Sequence, residues 1–531
     1  MKTILRREDC TMSKYLLVVD IGTQSLRASI IDETGKTLSF SQQKYKEAFF
    51  SVEKGYAEQH PEFYMDELCL ATKELHEKTP EYLEKISGMV MMTFRDSSLI
   101  LDEDKKPIRP SILWLDQRVT RDPHMSYLKW YEKILFRLIG MNDTVKFNAE
   151  RTVTYWLKKY EKENWDKMRY FVPLPTYFNY CVTGNLLVST GDCAGHYPFN
   201  FKKGKWFSSL HPKSDVFSIP HKSLPGLVKV GDVIGEVTEE FSKKSFIPVG
   251  TKLIATGSDK ACETFGDGCI DESLAAVSLG TACTIDVVSS KYKEPETFLP
   301  SYIAPYQNAY DLEVQIYRGL WMIRWYLDNF GANDIIESQK LGISVEEYMN
   351  EKIKDIPAGS DGLVLQPYWG PGLKRPNAKG SIVGFSGVHT RYHLYRAIYE
   401  GIAFALREGL DEIMKKTHKK PEYIVLSGGG SASDVLVHII ADVFGVPCYR
   451  SATVEAGSLG AAMAGFISLG VYKNEKEAVS HMVEKTEVIH PDMKNHEVYN
   501  KLYKKVYLKM YPSLKGVYNS CKDFYLDTKG E

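Results

Sequence analysis

What the sequence lacks narrows the reading first. None of its apolar runs reaches bilayer-spanning length, and no secretory h-region stands at its start, so no membrane partner is expected. Lys and Arg together number 67 against 68 for Asp and Glu, a net charge of −1. With no basic excess, the chain has no electrostatic footprint for nucleic acid. The nine cysteines are dispersed, and none forms a CxxC pair. An odd, scattered set argues against a disulfide framework or a zinc site and for a reducing compartment, so a cytoplasmic protein is expected. A Walker A loop is missing too: Gly35-Lys36-Thr37 would need glycine at position 30, where Ile30 stands. There is no low-complexity segment.

What remains is ordinary soluble material in unusual quantity. At 531 residues, 44% of them apolar and 25% charged, the chain is too long for one core and long enough for two large domains with a cleft. Strand patterns alternate with helical ones in both halves, which indicates α/β layers. In the first half, strands are expected over 16–20, 25–31, 88–92, 98–101 and 253–256, and helices over 61–77 and 151–160. In the second, a hairpin over 275–288 is followed by helices over 319–329, 393–414 and 433–444, with a strand over 423–426. Residues 455–465, rich in Gly and Ala, read as a helix packed very close to a neighbour. The pattern breaks around 266–272, giving expected domains of 12–266 and 267–510. Residues 1–11, ahead of a second candidate start at Met12, and 511–531 are expected to be tails, with a peripheral helix from 498 onward.

One short loop occurs in both halves. Near the start, an apolar run ends in Asp20 and turns through Ile21-Gly22-Thr23-Gln24-Ser25-Leu26-Arg27 into a second apolar run. Halfway along, Leu274 to Leu279 turns through Gly280-Thr281-Ala282-Cys283-Thr284. Each reads as strand, Gly-Thr turn, strand. Glycine admits close backbone approach, and the adjoining N–H and hydroxyl groups suit phosphate oxygens. Two such hairpins suggest a nucleotide held between two similar halves. Asp20, at a strand end, could reach magnesium; its plainer role is to cap the turn.

Three further segments can carry chemistry. Gly257-Ser258-Asp259-Lys260 follows a short buried strand and opens a helix, where an Asp is ordinarily an N-cap but could instead accept a proton in a cleft. Leu426-Ser427-Gly428-Gly429-Gly430 ends a strand in bare backbone, which suits a flat base or simply a tight strand–helix turn. Thr93-Phe94-Arg95-Asp96 places an adjacent cation and carboxylate between strands, as a polyol site or a surface ion pair would. Trp114 is followed by polar residues, as in sugar sites, although tryptophans are more often core.

These motifs together resemble the FGGY carbohydrate kinases over about residues 14–470. The most specific piece runs from Lys379 to Phe404, with Gly384-Phe385, His389 and Arg396-Ala397-x-x-Glu400-Gly401 in order; Gly55-Tyr56-Ala57-Glu58-Gln59-His60-Pro61-Glu62 is also similar. The resemblance implies two ribonuclease-H-like (actin-like ATPase) domains hinged around a central cleft, and ATP with Mg2+ as cofactors. It places Asp259 as the catalytic base and Asp20 as the magnesium-associated carboxylate. Gly22, Thr23, Gln24 and Arg27 fall in the first phosphate loop and Gly280 and Thr281 in the second. Gly428, Gly429 and Asp434 fall on the adenine side, and Arg95, Asp96, Trp114 and Lys260 on the substrate side. Departures are visible: Asp96 stands where glycerol kinases carry Glu, Lys260 where they carry Gln, and the N-terminal signature is only partly met at 147–151. The implied reaction is ATP-dependent phosphorylation of a small polyol or ketose, with a homodimer as a candidate assembly. The alternatives are glycerol or an aldonate as substrate and, outside catalysis, a nucleotide or sugar sensor on an actin-like fold.

Overall fold

The computed structural model describes residues 14–120, 128–296, 299–370, 372, 374, 375 and 377–528. The expected leading tail and Met12 lie outside the described residues. Two six-stranded sheets organise the chain.

The first comprises β1 (Tyr15–Ile21), β2 (Ser25–Asp32), β3 (Thr37–Lys44), β4 (Ile86–Thr93), β5 (Val233–Glu236) and β6 (Lys252–Ile254). Their order is β5-β6-β4-β1-β2-β3, with β1, β4 and β6 parallel and β2 and β3 antiparallel. The second comprises β7 (Leu274–Leu279), β8 (Cys283–Ser289), β9 (Tyr302–Ile303), β10 (Tyr310–Ile316), β11 (Tyr423–Ser427) and β12 (Cys448–Arg450), in the order β9-β10-β8-β7-β11-β12. Here β7, β11 and β12 run parallel, and β8 and β10 antiparallel. The same plan is therefore laid down twice: an antiparallel hairpin extended on one side, and parallel strands added on the other.

Because both faces of the central strands are covered, β1 reads as a nearly unbroken apolar run. Leu17, Val19 and Ile21 pack with Tyr64, Leu68 and Leu75 of α1 (Pro61–Lys78) on the outer face. Leu16 and Val18 point the other way, into a layer that also holds Ala276, Val288 and Val425 of the second sheet. That middle layer contains α2 (Asp259–Gly266) and the small-residue helix α5 (Ala456–Ser468); α3 (Arg391–Thr417) and α4 (Asp434–Phe444) cover the far side of the second sheet. The neighbour expected for the small-residue helix is α2. A Cβ on Gly460 would lie 1.9 Å from the Cys262 carbonyl oxygen, and one on Gly266 1.8 Å from that of Ala456. The backbones touch, which only glycine permits.

Two features differ from the sequence reading. Residues 98–101 form a strand, but in a separate four-stranded sheet with Glu58–Gln59, Ser111–Ile112 and Tyr170–Pro173. The C-terminal segment is also not peripheral at its start. Tyr499, Tyr503 and Tyr507 form an i, i+4, i+8 stripe buried in the second core, while the intervening lysines stay solvated. The Lys- and Tyr-rich composition concealed this periodicity.

Candidate active site

The two Gly-Thr hairpins turn alike but close differently, the first between Ile21 and Leu26 and the second between Leu279 and Cys283. Gly22 N–H donates to the Ser25 carbonyl (3.0 Å), and Gly280 N–H to that of Ala282 (3.1 Å). A Cβ on either glycine would press against that carbonyl, at 3.0 and 3.2 Å. Thr23 is joined to the first-domain wall, since Trp114 Nε1–H donates to its Oγ1 (3.0 Å). Gln24 and Thr281 are exposed at the turn tips.

Asp20 is buried where β1 meets this turn. Arg27, opposite it in the β1–β2 register, donates to its Oδ2 (3.1 Å) and reaches Glu455 at 3.6 Å. Burial pushes the Asp20 carboxyl up to about 7 against the pull of Arg27, with the charges of Asp259 and Glu455 adding to the rise. A buried carboxylate with one oxygen on arginine and further anions nearby fits a cation-associated position. Among the described residues, no group of three or more His, Cys, Asp or Glu side chains is placed to hold a metal by itself. A metal here would draw its remaining ligands from phosphate and water.

Asp259 is not the cap of α2. Ser258 takes that role, accepting from Ala261 N–H, which leaves Asp259 as the first helical residue. Its Oδ1 accepts from Lys260 N–H (2.8 Å). Burial raises the Asp259 carboxyl above its ordinary range, opposed by Lys260 and Arg95. Both cations are otherwise engaged. Arg95 donates from Nη2 to both oxygens of Glu313 on β10 (2.8 and 2.6 Å) and lies 3.8 Å from the Tyr302 ring centroid, an ion pair that joins the two domains. Lys260 Nζ donates to Glu263 (2.6 Å) and to Ser278 Oγ (3.1 Å) at the end of β7. Burial alone would push Glu263 up, but Lys260 and the hydroxyls of Ser278 and Ser427 hold it below the usual range.

Asp96 has φ +62° and accepts from or pairs with His196, its Oδ1 2.9 Å from the imidazole Nδ1. The loop bearing His196 lies against the base segment: Gly191 bridges to Gly257, and Ser189 Oγ–H donates to the Thr256 carbonyl (2.5 Å). Asp192 in that loop is buried with an unpartnered Oδ1; burial, and then the Asp259 charge, push it well above the usual range.

On the far side, Gly428 has φ +79°, and a Cβ there would lie 2.7 Å from the Leu279 carbonyl oxygen, whereas a Cβ on Gly429 would meet nothing within 4 Å. The bare backbone at Gly429 faces open space. Asp434 begins α4 and pairs with Arg450, whose Nε–H also donates to the Ser431 carbonyl (2.7 Å).

Arg396 and Glu400, within the most distinctive motif, are a packing device. Glu400 Oε1 takes Arg396 (2.9 Å), Tyr499 (2.8 Å) and Gly359 N–H (3.0 Å) inside the second core. Sequence reasoning missed Glu313, Tyr302, His196, Asp192 and Glu263. A signal for Glu313 existed: Asp311 and Glu313 alternate with apolar residues along β10, so the strand carries carboxylates on one face.

The model of the FGGY N-terminal domain matches residues 15–266, and that of the C-terminal domain matches 275–469. The chain belongs to the FGGY family of carbohydrate kinases. It is an ATP-dependent phosphotransferase of that family. A xylulose kinase of Lactococcus lactis is 26% identical over 496 residues, covering 92% of this chain and 95% of that protein. Ligand-bound xylulose kinase from Lactobacillus acidophilus superposes with a TM-score of 0.81 at 24% identity, over 96% of this chain and 99% of that one. Gluconate kinase from the same organism gives 0.80 at 24%, over 96% and 100%. One fold thus serves kinases named for a neutral ketose and for a sugar acid. Among the described residues no helix is long and apolar enough to cross a membrane.

Proposed function

We propose that this kinase transfers the γ-phosphoryl group of Mg·ATP to a hydroxyl of a small polyol or ketose bound in the first domain, with Asp259 as general base. The observations that support the reading are the electrostatic coupling of Asp259 to Asp20 at the stem of the first Gly-Thr hairpin, and the hydrogen bond of the adjacent Lys260 to Ser278 at the stem of the second (3.1 Å). Asp259 accepts the proton of the attacking hydroxyl; its raised proton affinity favours that transfer. Arg95 and Lys260 oppose that rise. The turn amides at Gly22, Thr23, Gln24, Gly280 and Thr281, together with Arg27, would cradle the phosphates, and Gly428, Gly429 and Asp434 would border the adenine. Asp20 would hold magnesium, which when bound neutralises charge on the phosphate oxygens. Trp114 and Asp96 would border the carbohydrate, and Arg95 would brace that wall through Glu313. Xylulose, the substrate named for several relatives, is the first compound to try.

Asp259→Asn tests the base. The expected outcome is a fall in kcat of about three orders of magnitude with the KM for Mg·ATP within two- to three-fold, measured by coupled ADP release. Turnover near wild type would sink the assignment.

A further inference from the structure

The fold accommodates kinases named for both neutral and acidic sugars, so the discrimination has to be read from the side chains beside the base. Four observations converge there. First, Asp96 sits in the left-handed region at φ +62°, a conformation that non-glycine residues adopt at a cost and that Asp tolerates better than most. Second, its side chain is held from across the site: His196 Nδ1 lies 2.9 Å from Oδ1, and no other protein group among the described residues takes a hydrogen bond at this carboxylate. Third, the other imidazole nitrogen, Nε2, has no hydrogen-bond partner among the described residues, and both side chains are partly exposed, 46% for His196 and 32% for Asp96. Fourth, the segment that leads to His196 is tied to the one that leads to Asp259 by the Gly191–Gly257 bridge and the Ser189–Thr256 hydrogen bond.

The two cations that act on Asp259 are spent. The Arg95 fork is on Glu313 and the Lys260 ammonium is on Glu263 and Ser278. Desolvation disfavours a charge on His196, but Asp96 outweighs it and holds the imidazole above its ordinary value; any positive charge there is balanced by the carboxylate it touches. Arg151 also acts on His196, and its guanidinium lies over the Phe147 ring, 3.6 Å from its centroid. Because Nδ1 is committed to Asp96, what the pair offers a ligand is the second imidazole nitrogen and a free carboxylate oxygen side by side, with no net positive charge.

Resting on the kinase reading above, we propose that His196 is a specificity-determining residue that holds Asp96 and forms with it a donor–acceptor clamp for two neighbouring oxygens of an uncharged ketose or polyol. With the ring protonated, Nε2–H donates to a carbonyl or hydroxyl oxygen, and with the ring neutral Nε2 accepts from a hydroxyl; the free oxygen of Asp96 accepts from the adjacent hydroxyl. A carboxylate cannot replace the second group, because it has no proton to give Asp96 and would face it as a like charge. The clamp therefore selects against aldonates.

The test is binding and turnover on the intact enzyme with D-xylulose, xylitol, ribitol and D-gluconate as probes, for wild type, His196→Ala, His196→Gln and Asp259→Asn. Binding is read by calorimetry with a non-hydrolysable ATP analogue present, independently of chemistry. Wild type is expected to prefer its best neutral probe over gluconate by about ten-fold or more, and His196→Ala to weaken that neutral probe about ten- to hundred-fold with the KM for Mg·ATP unchanged. His196→Gln, which can still donate to Asp96, should recover part of the loss. A gluconate preference, or no binding of any neutral probe, would overturn the proposal and turn attention to Arg151. So would a sugar affinity in His196→Ala within two-fold of wild type, or an equal weakening of sugar and ATP, which marks a merely structural role. The two readings fail separately. Sugar binding that depends on His196 while Asp259→Asn still turns over leaves the clamp and removes the base; the converse leaves the base and removes the clamp.

Discussion

The two hairpins turn alike and are charged differently. In the first, the residue two before the glycine is Asp20, and its cross-strand partner is Arg27. In the second, the matching residue is Ser278, paired with Thr284. The parallel neighbour follows suit, since β11 sets Ser427 beside Ser278. The first hairpin thus carries a carboxylate and a guanidinium to the cleft, and the second carries hydroxyls. Those hydroxyls serve the first domain's own helix: Ser278 and Ser427 both donate to Glu263 (2.9 Å each), which in turn holds Lys260 beside the base. A repeated backbone supplies two phosphate-sized turns, while one copy bears the charges and the other braces the helix carrying Asp259.

The sharpest way to break this comparison is to neutralise matching positions. Asp20→Asn should lower kcat by about a thousand-fold, or about 4 kcal/mol of transition-state stabilisation, because it removes the buried carboxylate proposed to hold magnesium. Raising the magnesium concentration should restore part of it. Ser278→Ala should cost less than ten-fold, since Glu263 keeps Lys260 and Ser427. Side-by-side kinetics over a magnesium titration measure both. Equal losses would mean that the hairpins are chemically equivalent and that the asymmetry of charge is incidental.

Next in size is the ion pair between the domains. Arg95 and Glu313 expose only 12% and 7% of their side chains, so removing one partner strands the other in low dielectric. Glu313→Gln is expected to cost about 3 kcal/mol of stability by denaturant unfolding. It should also raise the carbohydrate KM, as the freed guanidinium no longer ties the sugar wall to β10. Arg95→Met combined with Glu313→Met should regain much of the stability without regaining the KM. A single variant as stable as wild type would show that the pair does not hold the cleft.

The same asymmetry explains what could be read in the chain beforehand. The turns were legible because Gly-Thr between apolar runs is local, and the close packing of α5 because its small residues are local too, though its partner α2 was not readable. Alternation of strands and helices indicated the α/β layers, while the two-domain actin-like plan came from the resemblance to the FGGY kinases. Glu313, Tyr302 and His196 were not legible, because each reaches the site from a distant point of the chain: Arg95 meets a residue 218 positions away, and Asp96 one 100 positions away. Local pattern specifies elements; it does not specify which elements face one another. Asp259 shows the intermediate case. Its helix start was visible, but only the structure separates it from its neighbour Ser258, which does the capping.

The smallest expected effect isolates the nucleotide side, where the second domain contributes backbone in place of charge. Gly428 and Gly429 are adjacent glycines with opposite requirements. Gly428 lies at φ +79° with the Leu279 carbonyl 2.7 Å from where a Cβ would sit, so alanine there strains the turn and pushes β7. Gly429 has free space around the same position, and alanine should fold without penalty. If bare backbone at Gly429 borders the adenine, Gly429→Ala should raise the KM for Mg·ATP by about three- to ten-fold, or about 1 kcal/mol, with the carbohydrate KM and the melting temperature unchanged. Gly428→Ala should lower the melting temperature by several degrees. A Gly429→Ala enzyme with unaltered ATP kinetics would leave the three-glycine turn as a folding device alone, and the base would have to lie elsewhere on the second domain. A shift in ATP KM without a change in stability separates recognition from packing at neighbouring positions, which the charged first hairpin, where Asp20 and Arg27 serve both ends at once, does not allow.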